Sequence, residues 1–326
     1  NDRLRAQGYS GDTLVGSSGS DLLSGGSGTD RLTVQGDTDI TLEDAQLTVG
    51  SDSHQLDDIE QAQLVGGAGA NTINAAGFSG NTTLTGGLGA DTLTGSAGNS
   101  TLLEILDQDL TLTDTQLVGT DTDQLAAFDR AKLVGGSSDN RFDASGFAGP
   151  VTLRGSGGDD TMIGGAEDDL IFGGTGNDLI EAGAGNDDVR AGRGHDTIDG
   201  GDGDDSIRAG AGHDSIVGSD GNDTLNGAQG RDTIEGGAGN DALSGLRGAD
   251  RLDGGAGADT LVSGRGNDTL NGGDDDDVLL AGDGDDSLIG AAGIDILAGH
   301  GGSNSFDDPT EANESFVFYA SWIDRI

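Results

Sequence analysis

Cysteine is absent, proline occurs only at Pro150 and Pro309, Lys132 is the single lysine, and aromatics make up 3% of 326 residues. Without cysteine there is no disulfide, no thiolate metal site and no cysteine nucleophile. With 15 bases against 59 acids, a formal charge of −44, nucleic acid and anionic membrane are poor partners. No run is long and apolar enough to insert in a membrane, and no basic, apolar leader is present. The chain opens inside a pattern, at NDRLRA, as expected of a piece of a longer protein. No GxSxG elbow, HExxH helix or full EF-hand spacing occurs, so enzymatic chemistry is not expected.

So little apolar material and so much like charge would ordinarily mean disorder. A disordered chain needs no fixed period, yet GGTGNDLIEAGAGNDDVRAGRGHDTID (173 to 199) repeats acid, glycine and aliphatic residue every nine positions. The aspartates run through Asp160, Asp169, Asp178, Asp187, Asp196, Asp205, Asp214, Asp223, Asp232, Asp241, Asp250, Asp259, Asp268, Asp277, Asp286 and Asp295 without an insertion. Two residues after each stands an aliphatic residue or methionine, from Met162 to Leu297. A seventeenth unit, GHGGSNSFD, keeps the spacing but carries Asn304 and Phe306 instead.

One nonapeptide cannot hold itself together. Burying its single Leu or Ile stabilises by about 2 to 3 kcal/mol, less than ordering nine glycine-rich backbones costs. Hydrogen bonds between strands recover part of the deficit. A cation bound only by the folded form supplies the rest, and hard oxygen ligands point to calcium.

GGAGNDALS (236 to 244) and GGAGADTLV (254 to 262) resemble the RTX, or hemolysin-type, calcium-binding nonapeptide GGxGxDxUx at every fixed place. QGYSGDTLV, GSSGSDLLS and GGSGTDRLT (7 to 33) are looser copies around Asp12, Asp21 and Asp30, and GGLGADTLT (86 to 94) adds Asp91. The resemblance implies an all-β fold, a parallel β-roll or β-solenoid, in which six residues turn around Ca²⁺ and three form a strand with U facing inward. Two nonapeptides then make a coil, and ions lie between turns eighteen residues apart. All the aspartates named become metal ligands, completed by backbone carbonyls. On the order of fourteen ions in the regular array would offset much of the charge. Glu167, Asp275, Leu246, Ala228 and Asn304 depart from the pattern, and the ion sites they touch are the weakest.

Residues 34 to 154 contain a longer repeat: DITLEDAQLTVGSDSHQLDDIEQAQLVGGAGANTINAAGFSG (39 to 80) returns as DLTLTDTQLVGTDTDQLAAFDRAKLVGGSSDNRFDASGFAG (109 to 149). Asn71 and Asn140 take the ligand place there, so these coils should hold fewer ions and lean on Leu and Ile packing. The expected organisation is short RTX-like coils over 1–36, two degenerate repeats of about 70 residues over 37–154, a regular β-roll over 155–304 and a C-terminal cap over 305–326, all in one continuous solenoid. The cap is expected from Phe306, Phe316, Phe318, Tyr319 and Trp322, crowded where the period fails.

His195 and His213, eighteen apart, should stack on one edge as solvated turn residues rather than bind a transition metal; His54 and His300 have no sequence partner. Asp202 to Asp205 and Asp274 to Asp277 read as repeats with extra solvated acids, the alternative being binding to mineral or to basic partners. The leading functional expectation is an extracellular or cell-surface structural solenoid, a stalk, matrix or surface-layer material that folds on meeting external calcium, with self-assembly or other matrix components as partners. The resemblance also implies export through a type I secretion channel. The alternative is the folding and secretion module of a larger secreted enzyme or toxin. Adhesion or ice binding on a flat face would need an outward ladder of Thr or aromatics, and the outward places are too mixed.

Overall fold

In the computed structural model, residues 3–5, 13–15, 22–25 and 28–307 are described, and among them every regular element is a β-strand. The chain divides into two units, one of Asn1–Gly135 with Phe142–Thr152, the other of Gly136–Arg141 with Leu153–Ile326.

The second unit holds the nonapeptide array. Each repeat forms a strand of about six residues in which the aliphatic residue and the second residue after it are buried, as in Thr197–Asp202, where Ile198 and Gly200 face inward. Period-two burial follows from the pleat. Successive repeats alternate between two parallel sheets. In the first, Leu179–Ala184 pairs with Thr197–Asp202 and this with Ser215–Asp220, placing Ile180, Ile198 and Ile216 side by side. In the second, Leu170–Thr175, Asp188–Arg193 and Ser206–Ala211 align Ile171, Val189 and Ile207. Each partner lies eighteen residues along the chain, which confirms the coil length. The core is two facing aliphatic columns, all buried; one residue per repeat suffices because every strand shares its burial with neighbours on both sides.

Glycine sets the turns. Gly174 and Gly176 sit at φ 117° and 132°, a region closed to most side chains. A Cβ on either would run into the carbonyl of the coil before, Ser156 O or Gly158 O. At three places where glycine is missing the backbone keeps the turn: Ala228 (φ 73°), Leu246 (φ 68°) and Asp275 (φ 74°) adopt a left-handed conformation, at a cost of about 1–2 kcal/mol each.

The first unit has wider coils. Arg31–Gln35 pairs with Gln61–Val65, thirty residues on, and Ser100–Ile105 with Arg130–Val134, twenty-nine on, whereas Asn81–Thr85 and Ser100–Ile105 keep the eighteen-residue step. The extra length is an antiparallel meander in each long repeat: Ile40–Glu43, Gln46–Val49 and Asp52–Asp57 in one, Leu110–Thr113, Gln116–Val118 and Thr122–Ala126 in the other. A solenoid of parallel strands alone does not describe this unit. The reason lies in tight turns at Asp44–Ala45 and at Gly50 (φ 57°), which reverse the chain instead of carrying it around the coil. Large side chains fill these coils, including Phe78, Phe142, Leu42 and Leu112, all essentially inaccessible.

Ser305–Asp307 is the final strand among the described residues and pairs in parallel, with Phe306 beside Leu288 and 36% exposed. Phe316, Phe318, Tyr319 and Trp322 lie outside the described residues, as do Asp12 and Asp21.

Candidate metal centres

The repeat aspartates are among the most buried polar residues of the protein, at 1–3% exposure from Asp160 to Asp295. Each ends a turn just before a strand, so its backbone joins the sheet ladder: the Thr197 N–H donates to the Asp178 carbonyl at 2.8 Å, and the pattern recurs from coil to coil. The side chain makes a second ladder. Each aspartate N–H donates to Oδ1 of the aspartate eighteen residues ahead, as from Asp178 to Asp196 and from Asp196 to Asp214, both at 2.9 Å. On the other edge Asp187, Asp205 and Asp223 do the same at 2.8 Å. The coil spacing read from the sequence therefore brings the predicted ligands into two stacked rows.

Oδ1 is satisfied and Oδ2 is not. In Asp91 and in every repeat aspartate from Asp178 to Asp286, Oδ2 is buried with no hydrogen-bond partner. A buried anionic oxygen without a donor is strongly unfavourable. Its surroundings are also acceptors. A Cβ placed on Gly173 would collide with Asp178 Oδ2 and meet the Ala191 carbonyl oxygen of the next coil at 2.5 Å. At Gly218 the same space lies between Asp223 Oδ2 and the Gly236 carbonyl. A carboxylate and a carbonyl oxygen thus converge beside a bare glycine with no donor group between them, the ligand chemistry of a hard cation with ~2.3–2.6 Å oxygen contacts. Among the described residues no three His, Cys, Asp or Glu side chains cluster into a metal site, so an ion here depends on main-chain oxygen.

Burial raises the carboxyl pKa of Asp187, Asp196 and Asp277 to about 7, against the opposing N–H hydrogen bond, and the like charges of stacked neighbours push the same way. Asp205, Asp223, Asp232, Asp250 and Asp259 rise to about 6, again chiefly through burial. Carboxylates a strand apart, about 4.8 Å, resist joint ionisation unless a cation lies among them.

Departures from the motif read out directly. Where Glu167 replaces glycine, Asp169 Oδ2 closes on its own turn and accepts the Gly165 N–H at 2.7 Å. Asn304 continues the ladder, accepting the Asp286 N–H at 3.0 Å, but its Nδ2 donates to Gly301 O at 3.3 Å. Asn71 behaves alike: Oδ1 accepts the Gly67 N–H at 2.9 Å and Nδ2 donates to Asp37 at 3.3 Å. An amide fills the place with its own donor. Asp30 is buried in the first unit, its N–H donating to Glu60 at 2.7 Å.

Three features escape the motif. The residue before each ligand forms a further ladder running the opposite way: the His195 N–H donates to Asn177 Oδ1, the His213 N–H to His195 Nδ1, and the Arg231 N–H to His213 Nδ1, at 2.7–2.8 Å. The recurring Asn, Asp or His at that place was its sequence signal. The two imidazoles stack with centroids 5.1 Å apart, and each spends Nδ1 as an acceptor, so they act as turn ladder groups. In the first unit Asp123 accepts the Asp91 N–H at 2.8 Å, and the fully buried Glu104 accepts the Gly86 N–H at 2.5 Å. Burial lifts Glu104 to about 8 and Asp123 to about 6. They lie thirteen and thirty-two residues past Asp91, outside any nonapeptide, so no spacing rule pointed to them.

The comparison with family models agrees with this chemistry. The family of the RTX calcium-binding nonapeptide repeat matches residues 8–40, 76–102 and, in overlapping copies, 134–306. Among solved structures, the X-ray crystal structure of a hyperactive, Ca²⁺-dependent, β-helical antifreeze protein from an Antarctic bacterium aligns at 17% identity, covering 94% of this chain and 82% of that one with a TM-score of 0.29. A search of curated proteins returns no match.

Proposed function

Because this chain belongs to the family of the RTX calcium-binding nonapeptide repeat, matched over more than half its length, we propose that it is an extracellular structural solenoid whose regular array folds when it meets external calcium. The observation that carries the reading is the row of buried Oδ2 atoms without a donor, from Asp178 to Asp286. Calcium would be held by the carboxylates of aspartates eighteen apart on each edge, with carbonyls such as those of Ala191 and Gly236 completing the shell. On the order of fourteen ions, the number suggested by the repeat count, would cancel much of the formal −44. Bound cations supply charge neutralisation and cross-linking of adjacent coils.

Such a device suits a place where calcium is plentiful outside the cell and scarce within, because a chain with unneutralised aspartates stays unfolded until delivered. Its role there is mechanical, as stalk, matrix or surface-layer material. Circular dichroism of the full chain in EDTA and in 10 mM calcium, with magnesium as control, tests the reading. A β signal appearing with calcium and not with magnesium supports it; an equal β signal in EDTA defeats it.

A further inference from the structure

The second unit segregates its charge between its two sheets. On the outer face of the second sheet stand Arg154, Arg190, Arg193, Arg208, Arg247 and Arg265, all exposed. Arg190 and Arg208 are direct cross-strand neighbours, as are Arg247 and Arg265. Arg154 and Arg190 lie against the Phe172 ring, 4.5 and 5.5 Å from its centroid, and Arg190, Arg193 and Arg208 line an open groove. Asp188, paired with Arg190 at 2.8 Å, and Asp283, 3.9 Å from Arg265, are the acids of this face.

The outer face of the first sheet carries the opposite sign. Glu181 and Asp199 are cross-strand neighbours, as are Asp202 and Asp220, and as are Glu235 and Asp253. Arg251, held by Asp253 at 3.0 Å, is the base among them. A coil of two nonapeptides sends alternate repeats to opposite sheets, so basic residues confined to alternate repeats collect on one face.

We propose that the basic face of the second sheet docks on the acidic face of the first sheet in a second copy of this chain. Charge complementarity argues for that occupant, and so does period. Columns on both faces advance by the same strand spacing, about 4.8 Å, so the paired guanidinium groups at Arg190/Arg208 and Arg247/Arg265 match the spacing of the paired carboxylates at Glu181/Asp199 and Glu235/Asp253. Seven second-sheet strands, from Leu170–Thr175 to Val278–Asp283, of about 20 Å each give roughly 700 Å² per partner, near the ~800 Å² of a standard interface. Because the two patches differ and sit on different faces, the contact is heterologous and extends copy after copy. The assembly rests on the calcium-loaded fold proposed above, since unneutralised copies repel one another.

Sedimentation velocity of the full chain in calcium tests it, with circular dichroism in the same buffer confirming each variant's fold. The wild type should associate with rising concentration, at least tenfold more weakly in 0.5 M NaCl. Arg190→Glu/Arg208→Glu/Arg247→Glu/Arg265→Glu gives two acidic faces and Glu181→Lys/Asp199→Lys/Glu235→Lys/Asp253→Lys two basic ones; each should stay monomeric alone, and their mixture should regain association. The milder Arg190→Gln/Arg208→Gln should weaken association at least tenfold. A folded wild type that stays monomeric, a reversed variant that still associates, or a mixture that does not, overturns the proposal. So does a monomeric wild type that binds polygalacturonate through the same arginines, which would assign the face to an acidic polysaccharide. Loss of the β signal in the wild type would instead indict the calcium reading.

Discussion

The two units solve one problem, how to close a coil with little apolar residue, by different means. In the array each coil is eighteen residues and buries one aliphatic residue per strand, while its turns hold buried carboxylates whose Oδ2 lacks a donor. In the first unit the coils widen to about thirty residues, an antiparallel meander supplies extra backbone pairing, and Phe and Leu fill the interior. There Asn71 satisfies its turn with its own amide. On the proposed function, a short coil would depend on bound ions, and a wide coil would rely on packing in their place.

Removing calcium should break this comparison most widely open. A site of about 1 mM Kd gains ~1.4 kcal/mol at ~10 mM calcium, so some fourteen independent sites sum to ~20 kcal/mol. Hydrogen exchange in EDTA should erase protection over residues 178–286 and spare part of it over 61–134. Equal loss in both stretches would show that packing does not substitute for ions.

Acid should act next. Eight array aspartates, among them Asp196, Asp223 and Asp277, have folded-state pKa values raised to about 6 or 7 from an ordinary value near 3.8. A raised carboxyl pKa means the folded form binds the proton more tightly than the unfolded one. Its stabilisation is full below pH ~4 and is lost as pH rises through 6 to 7. In EDTA, lowering the pH from 7.5 to about 4.5 should therefore restore part of the β signal, while in calcium the same change should weaken ion binding. A chelated protein whose β signal falls on acidification would contradict the buried-carboxylate picture.

Single ligands give a smaller effect. Asp232 accepts from Asp214 and donates to Asp250, so Asp232→Ala should weaken two sites, about 3 kcal/mol at ~10 mM calcium, and lower the cooperativity of the calcium titration. Asp30→Ala, in a short block, should shift the midpoint less. Matching titration curves would argue against stacked, shared sites.

The smallest expected change is a gain. Leu246 holds φ 68° and is 42% exposed, so Leu246→Gly removes left-handed strain while giving up little burial. Folding should need slightly less calcium, a stabilisation of about 1 kcal/mol, visible as a lower calcium midpoint. A higher midpoint would mean that Leu246 contributes packing that its exposure does not show.

Much of the array was legible in the sequence because its physics is periodic. Inward aliphatics, positive-φ glycines and a turn aspartate each recur every nine residues, and the structure buries the aliphatics and the aspartates in columns with that period. The first unit was read less well. Its packed Leu and Phe positions are visible in the sequence, but the turns at Asp44 and Gly50, bounded by segments such as LTVGSDSHQL, follow no period that marks a chain reversal. Asp123 could not be found, because its partner Asp91 lies thirty-two residues away across a widened coil, and Glu104, although eighteen residues past its partner Gly86, stands outside any nonapeptide unit.

What the sequence by itself determined is the repeat: coil length, the inward residue, and which side chain stands at each turn, since these depend only on neighbours a few residues away. Which N–H each carboxylate takes, and hence which oxygen is left for a cation, was decided by the stacking of coils, as was the opposite direction of the ladder one residue earlier. The opposed charge of the two faces was decided there too. Charge segregates only when alternate repeats are laid on opposite sheets, because a residue's sign is local but the face that displays it belongs to the folded coil.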